Sequence, residues 1–481
     1  MGAINLFGLG QQGQSPNVTG SHRLNVYLQI NQDADKCQIN AMGTPGLVPF
    51  STVSSSKTRA IHWLEANNML YVVQGVTLWE ITPLGNYTNR GTLNSADNQG
   101  LCSIANNGKQ IFIATGYFCY LFNTTTGVFS EITSAMPGYG VAGTGVAGTV
   151  CFLDSYFIVN QVETGQFWVG NSYDGATWNP LYYATAESSP DNLQAVWSDK
   201  GHLVLIGTSS TEIWINTGAL AFPYQRVQGA ISQTGLEAKW SVANINGSLT
   251  ALVRNKHGAL SVAYLNGYIW TPISTPDIDF IFNNYQTPSD AVAFGYSING
   301  RHFYQINFQA AAASWLFDFQ SQAWSQLKSK GITRHLANLG CSFAEKYIVA
   351  DYLSGALYQL SANAYTDNGN YIEREIIGKH VFRPSMNILS IRRLRAEFEG
   401  GIGLIAGQGL NPTVMLQISR DNGHTWGNEL WTTIGMQGQY QNRAEWRRLG
   451  QSRDWLFKLR FTDPVKFFLM RAVIEGQELN R

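Results

Sequence analysis

The stretch that decides the fold is NMLYVV, from Asn68 to Val73, in which a turn residue precedes a short apolar strand. The same pattern returns along the chain at intervals between 39 and 53 residues. Its further copies are NGKQIFIA from Asn107, DSYFIVN from Asp154, DKGHLVLIG from Asp199, NGSLTALV from Asn246, NGRHFYQIN from Asn299 and EKYIVAD from Glu345. A repeat of this length indicates one small β unit per copy.

Most copies continue with a second apolar strand and then an aromatic residue near the end of the unit. The second strands are LWEI, CYLF, FWVG, IWIN, WLFDF and ALYQL, and the closing aromatics are Phe129, Trp178, Trp270 and Trp324. Each unit is typical of a three- or four-stranded antiparallel meander, which cannot bury both of its faces alone. Stacking such meanders into one core predicts a β-propeller of six or seven blades in an all-β chain. An unrelated series of β-sandwich hairpins is the alternative.

The two ends of the chain do not follow the repeat. After about residue 370, the segments SMNILSIRRLRAEFEG, TVMLQISRD and WLFKLRF alternate apolar and polar side chains, which favours half-exposed antiparallel sheets. We therefore predict three parts: an N-terminal segment over 1–55, the propeller over 56–370 and a β-sandwich platform over 371–481. The N-terminal segment is expected to pack with the platform.

The chain is unusually poor in charge. Charged residues make up 13% of its 481 residues, about half of the ~25% found in an average protein, while 44% are hydrophobic. Such a surface suggests burial against partners. The net charge is zero, but Lys and Arg exceed Asp and Glu by five from residue 371 onward, and the first 370 residues carry the opposite excess. A free nucleic-acid-binding protein with one large basic face is therefore disfavoured.

The cysteines and the apolar runs argue against a disulfide-stabilised protein, a secreted protein and a membrane protein. Five widely spaced cysteines, with no pair at metal-finger spacing, argue against a disulfide scaffold and for folding in a reducing cytoplasm. The first residues, MGAINLFGLGQQG, lack a basic leader region, and no apolar run approaches the roughly 18 to 20 residues that span a bilayer. We expect neither a secreted nor a membrane protein.

No segment predicts a catalytic, cofactor or metal site. GLGQQG, from Gly8 to Gly13, matches a dinucleotide fingerprint, but the QSPNVTGS that follows is typical of a loop and not of the helix which that chemistry needs. The eight histidines lie too far apart in sequence to chelate locally, although residues of several blades could still converge on a metal at the propeller axis. No nucleophile elbow of the G-x-S-x-G type stands between a strand and a helix. The chain is expected not to be an enzyme.

One local motif is specific. SRDNGHTW, which holds Ser419, Asp421, Gly423, Thr425 and Trp426, resembles the Asp-box of sialidases, and NSYDGATW ending at Trp178 is a shortened echo. In that motif the Asp accepts backbone N–H bonds across a β-turn, the Gly supplies a positive φ and the Trp packs beneath. We interpret it as a structural turn. A retaining sialidase would also need an arginine cluster and a Tyr nucleophile, and the propeller arginines are scattered.

The C-terminal part also concentrates arginine. The residues that we expect to face a partner or DNA are Arg392, Arg393, Arg395, Arg447, Arg448 and Arg453. The simpler interpretation is a solvated strand face whose charges pair with Glu397, Glu399 and Glu445. The alternative is a ring face or lumen that meets acidic protein partners or DNA phosphates.

Three blocks carry a family resemblance: RLNVYLQI from Arg23 with MGTPGLVPF from Met42; STEIWINTGALAFPYQRVQGAISQTGLEAKWSV from Ser210; and RAEFEGGIG, QISRDNGHTWGNE and EWRRLGQSRDWLFKLRFTDPVKFFL near the end. Together they are similar to the packaged-DNA stabilisation proteins of podoviruses, the short-tailed bacteriophages. The other blades align with that family only through their repeat.

The resemblance implies a virion protein, made in the bacterial cytoplasm, that forms a homohexameric hub or nozzle of the tail. Its partners would be a head-to-tail adaptor below the portal, tail fibres or tailspikes, a needle or plug, and packaged DNA passing the lumen without sequence specificity. Two other classes stay open. One is a glycan-binding or glycan-cleaving propeller such as a receptor-binding tail protein, and the other is a free scaffold propeller of a cell.

Overall fold

Seven small antiparallel sheets and a β-sandwich account for nearly all of the secondary structure. The computed structural model describes residues 8, 10–11, 13–31, 37–97, 100–132, 147–186, 189–220 and 222–479. We number the sheets as blades 1 to 7 in chain order. The chain therefore has the all-β fold, propeller plus sandwich, that the sequence predicts.

The first four blades each contain four consecutive strands. Blade 1 has Thr58–Leu64, Met69–Gln74, Thr77–Ile81 and Tyr87–Thr92; blade 2 has Ser103–Asn106, Gln110–Ala114, Cys119–Asn123 and Phe129–Glu131. Blade 3 has Val150–Leu153, Tyr156–Asn160, Gln166–Asn171 and Asp174–Thr185; blade 4 has Leu193–Asp199, His202–Gly207, Thr211–Asn216 and Tyr224–Ser232.

Blades 5 and 7 depart from this plan, whereas blade 6 again has four consecutive strands. Blade 5 has Thr234–Leu236, Ala243–Ile245, Ser248–Asn255, Leu260–Asn266 and Ile269–Pro272; blade 6 has Val292–Ile298, Arg301–Phe308, Ala313–Asp318 and Ala323–Leu327. Blade 7 has Ala337–Phe343, Lys346–Asp351, Ala356–Ser361 and Gly46–Thr52, with Thr366–Asp367 and Asn370–Tyr371 at its edge. Among the described residues, the helical elements are the α-helix Pro276–Asn283 and the single 3₁₀ turns Glu65–Asn67, Lys239–Ser241 and Pro288–Asp290.

The repeated turns of the sequence are the hairpins between the first two full strands of each blade. In five of these hairpins, all within the described residues, both central residues have positive φ, which defines the type I′ turn that matches the right-handed twist of the strands. Their residue pairs are Asp154 and Ser155, Lys200 and Gly201, Asn246 and Gly247, Asn299 and Gly300, and Ala344 and Glu345. Turn chemistry thus marks the blades in the sequence.

The blades close into a ring. Each blade contacts the next, and Ala337–Phe343 of blade 7 contacts Thr58–Leu64 of blade 1. Every pair of adjacent blades encloses an apolar core, and the described residues give seven such cores. The closing aromatics lie in the outermost strands, and Trp178, Trp270 and Trp324 are buried there. The fold has seven blades, one of the two numbers expected.

An N-terminal strand completes the ring. Gly46–Thr52 is the outer strand of blade 7 and pairs antiparallel with Ala356–Ser361, with Leu47 opposite Leu360. Leu47 is 1% exposed and lies in the core between blades 6 and 7. We expected the whole segment 1–55 to pack with the platform. Instead, its strands up to Gly43 belong to the platform, and Gly46–Thr52 belongs to the propeller.

The platform is a sandwich of two antiparallel sheets around one core. One sheet orders His22–Leu24, Arg374–Ile377, Asp454–Phe461, Thr413–Ser419 and Leu430–Thr433, and Val381–Phe382 also pairs with its central strand. The other sheet orders Val26–Ile30, Ile39–Gly43, Phe468–Leu479, Ile388–Phe398 and Ala444–Ser452. The alternation of the strand Ile388–Phe398 places Leu389, Ile391, Leu394, Ala396 and Phe398 in the core.

The strand Val26–Ile30 joins the two domains through its alternation. Val26 and Leu28 face the sandwich core, whereas Tyr27, on the opposite face, lies in the core between blades 6 and 7. The Tyr27 ring packs edge-on against Phe303 at 5.3 Å between centroids. One strand therefore supplies apolar side chains to both domains, as period-two geometry allows.

Buried polar side chains fix the same junction. Arg23 is 1% exposed and donates from Nε and Nη2 to the carbonyl of Trp324, at 3.1 and 2.8 Å. Asn25 donates from Nδ2 to the carbonyls of Lys328 and Glu373, both at 2.8 Å. Removing such a side chain would leave buried carbonyls without hydrogen-bond partners, which costs stability. These hydrogen bonds therefore hold the two domains together.

The helix Pro276–Asn283 packs into the core between blades 5 and 6, where Ile278 and Phe282 are fully buried. Thr275 caps its start by accepting from the Ile278 amide, and Pro276 occupies the first turn, where a missing N–H costs nothing. In the part of the chain that the structure describes, no helix has the length and apolar character needed to cross a bilayer.

Candidate functional site

The Asp-box sequence forms a tight turn at the end of the sandwich strand Thr413–Ser419. Asp421 accepts from the amide of Thr425 at 2.9 Å and from its hydroxyl at 2.5 Å. The Ser419 hydroxyl donates to Asp421 at 2.7 Å and accepts from the amide of Gly423 at 2.9 Å. Gly423 has φ of 93°, a conformation open to glycine but strained for other residues. These hydrogen bonds, led by that from the Thr425 hydroxyl, hold the pKa of the Asp421 carboxyl well below its usual range.

The tryptophan of this turn is only half-buried, in contrast to the expectation that it packs beneath. The Lys458 ammonium lies over the Trp426 ring at 4.2 Å from its centroid, so the ring makes a cation–π contact with a lysine of a neighbouring strand. The echo in blade 3 shows the expected burial. There Trp178 is 6% exposed and packs with Phe112, while Asp174 accepts from the Thr177 hydroxyl at 2.6 Å.

Three of the predicted arginines lie in an ion-pair network on the outer face of the sandwich. Arg393 and Arg395 each contact both Glu445 and Glu475, at N–O distances between 3.2 and 3.6 Å. Arg447 also pairs with Glu445. Since each of these three arginines has a glutamate partner, they fit the simpler interpretation of a solvated strand face.

The other three are exposed, and no ion pair within the described residues involves them. Arg392 is the extra residue of a bulge against the strand Phe468–Leu479, since Ile391 pairs with Gly476 and Arg393 with Glu475. On its other side Arg392 faces Arg448 and Leu449, two residues that lie between the pairs Ile391 with Gly450 and Arg393 with Arg447, and Arg448 has φ of 60°. A bulge moves a residue out of the regular ladder and re-aims its side chain.

Sequence reasoning missed a residue that connects this bulge to the Asp-box turn. Arg420, between Ser419 and Asp421, donates from Nη2 to the carbonyl of Leu449 at 2.5 Å. Its guanidinium lies over the Trp455 ring, and the Ser452 hydroxyl donates to its carbonyl at 3.4 Å. The sequence offered one signal for Arg420, namely its position inside the Asp-box motif between two residues of the turn. We call Arg392, Arg420, Arg448 and Arg453 the arginine cluster.

The propeller axis forms a second candidate site. A channel of about 450 Å³ is lined by the inner strands, including His62, Cys102 and Cys341. The inner strand of blade 5 is interrupted by the 3₁₀ turn Lys239–Ser241, which brings Lys239 and Trp240 to the channel wall. Burial lowers the pKa of Lys239 to about 8. In the sequence, Lys239 and Trp240 fall within GLEAKWSV, one of the stretches that carry the family resemblance, and no other signal predicts the interruption of the strand.

Three of the histidines have separate environments in the described structure. Burial lowers the pKa of His22 and of His62 to about 4, so both are neutral at pH 7. His380 bridges Asp454 at 2.8 Å and the carbonyl of Pro16 at 2.7 Å. Within the described ranges, no three His, Cys, Asp or Glu side chains come together as a metal site. Of the GLGQQG segment, Leu9 and Gln12 lie outside the described residues, and residues 16–18 form a turn.

Comparison with known proteins covers both domains. A family model described as Bacteriophage P22 Gp10, beta-propeller, matches residues 28–365, and one described as Bacteriophage P22 Gp10, beta-sandwich, matches residues 375–477. A search of curated proteins gives no significant match.

Similar solved structures include three at 9 or 10% identity. The computationally designed Ika8 protein has a TM-score of 0.39, with 73% of this chain and 100% of that chain covered. A chain of the Mitotic Checkpoint Complex has a TM-score of 0.43, with 70% and 99% covered. A catalytically inactive virginiamycin B lyase from Staphylococcus aureus with quinupristin has a TM-score of 0.41, with 70% and 98% covered.

Proposed function

The chain belongs to the family of bacteriophage P22 Gp10, structural tail proteins that stabilise packaged DNA, and we propose that it is the subunit of a six-membered tail hub. In this proposal the hub docks on an adaptor below the portal and closes the tail channel once DNA is packaged. It carries fibres or tailspikes, holds a needle or plug, and later gives passage to the ejected genome.

The observation that carries the proposal is the match to both domains of the family in the same order along the chain. The architecture suits a load-bearing ring subunit. The propeller closes on itself and leaves few free strand edges, and buried groups such as Arg23 join it rigidly to the sandwich.

The dimensions of the propeller channel support a lumen formed between subunits. A space of about 450 Å³, lined by Lys239 and Trp240, cannot hold a DNA duplex, whose major groove alone is about 12 Å wide. In the proposed hub, packaged DNA therefore passes outside the propeller axis. A closed ring of subunits supplies such a passage.

The surface supports contacts with several partners. Large apolar side chains are exposed in both domains: Leu181 by 78% and Leu220 by 96% in the propeller, and Ile405 by 84% and Tyr440 by 77% in the platform. Together with the low content of charged residues, this favours burial against neighbouring subunits and other virion proteins. The adaptor, the fibres or spikes and the needle are the partners that we assign to these surfaces.

Electron microscopy of the tail tests the proposal. We expect the purified chain to be a monomer or a weak oligomer that forms six-fold rings on its adaptor. A six-fold reconstruction with one propeller and one sandwich per subunit would support the hub. Stable trimers would contradict it, since trimers are expected of a receptor-binding spike.

A further inference from the structure

We propose that the arginine cluster binds the phosphate backbone of double-stranded DNA, independently of sequence. The inference rests on the proposed function, because the hub places the chain beside packaged DNA. It goes further in assigning the contact to a small group of arginines around one bulge of the platform. It also separates these arginines from Arg393, Arg395 and Arg447, each of which already pairs with a glutamate.

Geometry brings the cluster together. Arg392 and Arg448 occupy the same bulge in neighbouring strands, between the pairs Ile391 with Gly450 and Arg393 with Arg447. Arg420 reaches this bulge through its bond to the carbonyl of Leu449. Arg453 follows Ser452, whose hydroxyl donates to the Arg420 carbonyl. The four arginines therefore lie in one region of the platform, two at the bulge within neighbouring strands and two in the turns that follow Ser419 and Ser452.

The cluster has an excess of positive charge. All four residues are exposed, and in the described part of the chain none of the four forms an ion pair. The nearest carboxylates are already engaged. Asp421 accepts three hydrogen bonds within its turn, Asp454 pairs with His380, and Glu445 pairs with other arginines.

The surroundings favour a polyanion over an acidic protein partner. The residues beside the cluster, Gly450, Gln451 and Ser452, are small or polar and are at least partly exposed. Protein interfaces usually centre on buried aromatic or aliphatic residues, whereas surfaces that bind DNA are polar and positively charged. Arginine forks also match phosphate oxygens two at a time.

Fluorescence anisotropy with the purified full-length chain and a short duplex tests the assignment. The variant combines Arg392→Gln, Arg448→Gln and Arg453→Gln, and spares Arg420 because its hydrogen bond holds the turn. The matched control removes three exposed lysines of the propeller, Lys57→Gln, Lys109→Gln and Lys256→Gln. Thermal unfolding of both variants shows that they fold.

We expect the arginine variant to bind two unrelated duplexes more weakly by the same factor. The plot of log affinity against log salt should flatten by about 3, because each arginine removed leaves one phosphate without its cation. The control should bind like the parent. Equal binding by parent and arginine variant, or no binding by the parent at low salt, would overturn the inference.

A polyglutamate peptide serves as a second probe. If the arginine variant loses affinity for the peptide but not for DNA, the cluster is a site for an acidic protein and the inference is wrong. The hub proposal fails by a different result, namely stable trimers in the assembled tail. The two failures are therefore distinguishable.

Discussion

At the scale of single residues, the Asp-box turn shows what a short motif predicts and what it leaves open. The contacts among Ser419, Asp421, Gly423 and Thr425 are local in sequence, so the motif predicts their hydrogen bonds and the positive φ. The environment of Trp426 depends on Lys458, which belongs to a different strand, distant in sequence. Burial of a motif residue is thus a tertiary property.

Gly423→Val should destabilise the platform. A β-branched side chain at φ of 93° is strained by about 1 to 3 kcal/mol, and its Cβ would come within 3.1 Å of Leu456. Gly427→Val is the control, because Gly427 lies in the same hairpin, is exposed and does not have a positive φ. Thermal unfolding should show the loss for Gly423→Val alone. Equal losses of stability in the two variants would contradict the prediction that the positive φ of Gly423 is the cause.

Asp421→Asn should reduce stability at neutral pH but not at strongly acidic pH. The folded-state pKa of Asp421 is depressed, chiefly by the hydrogen bond from the Thr425 hydroxyl, so the carboxylate contributes stability above its unfolded pKa of about 4. That contribution is lost as the pH falls below this value toward the folded pKa. Denaturation curves at neutral pH and at the lowest pH at which the parent stays folded should show a smaller difference between variant and parent at the lower pH. A constant difference would contradict the role of the charge.

At the scale of elements, the repeat predicts the blades but does not predict Gly46–Thr52, the strand that closes the ring. Turns such as Asn246 with Gly247 recur because the blades share the same type I′ hairpin. Gly46–Thr52 pairs with Ala356–Ser361, near the other end of the propeller sequence, and its own sequence contains no repeat turn. Ring closure is a long-range choice of partner, which a local pattern does not specify.

Leu47→Ala should weaken this closure by about 2 to 5 kcal/mol, the usual cost of truncating a fully buried leucine. Val48→Ala is the matched control, since the next residue of the same strand is 40% exposed and should change stability by about 0.5 kcal/mol or less. Chemical denaturation of the propeller measures both. If the two variants were equally stable, Gly46–Thr52 would not hold the ring closed.

At the scale of the whole molecule, the family match and the architecture point to a structural role. The propeller and the sandwich share a continuous sheet, because Leu24 pairs with Gln326 of blade 6 and with Glu375 of the platform. The repeat and the alternation predicted two β parts, but not this continuity, which depends on a pairing between the N-terminal segment and blade 6. Two domains joined in this way suit the ring subunit that we propose.

The purified chain should turn over no sialoside, polysaccharide or peptidoglycan substrate. In the described residues, the Asp-box carboxylate of Asp421 is engaged within its own turn, and the neighbouring Arg420 donates from Nη2 to the carbonyl of Leu449. Hydrolysis assays of the parent and of Asp421→Asn check this expectation. Activity that disappears in a folded Asp421→Asn variant would show that the turn is an active-site loop.

The central claim, that the chain retains packaged DNA in the virion, is tested most directly by particles assembled without it. Heads made from a phage genome that lacks this gene should package DNA and then lose it, so that nuclease digests the DNA in the particle fraction. Adding the purified chain before release should preserve nuclease-resistant DNA in those heads. Heads that keep their DNA fully protected without the chain would contradict the account.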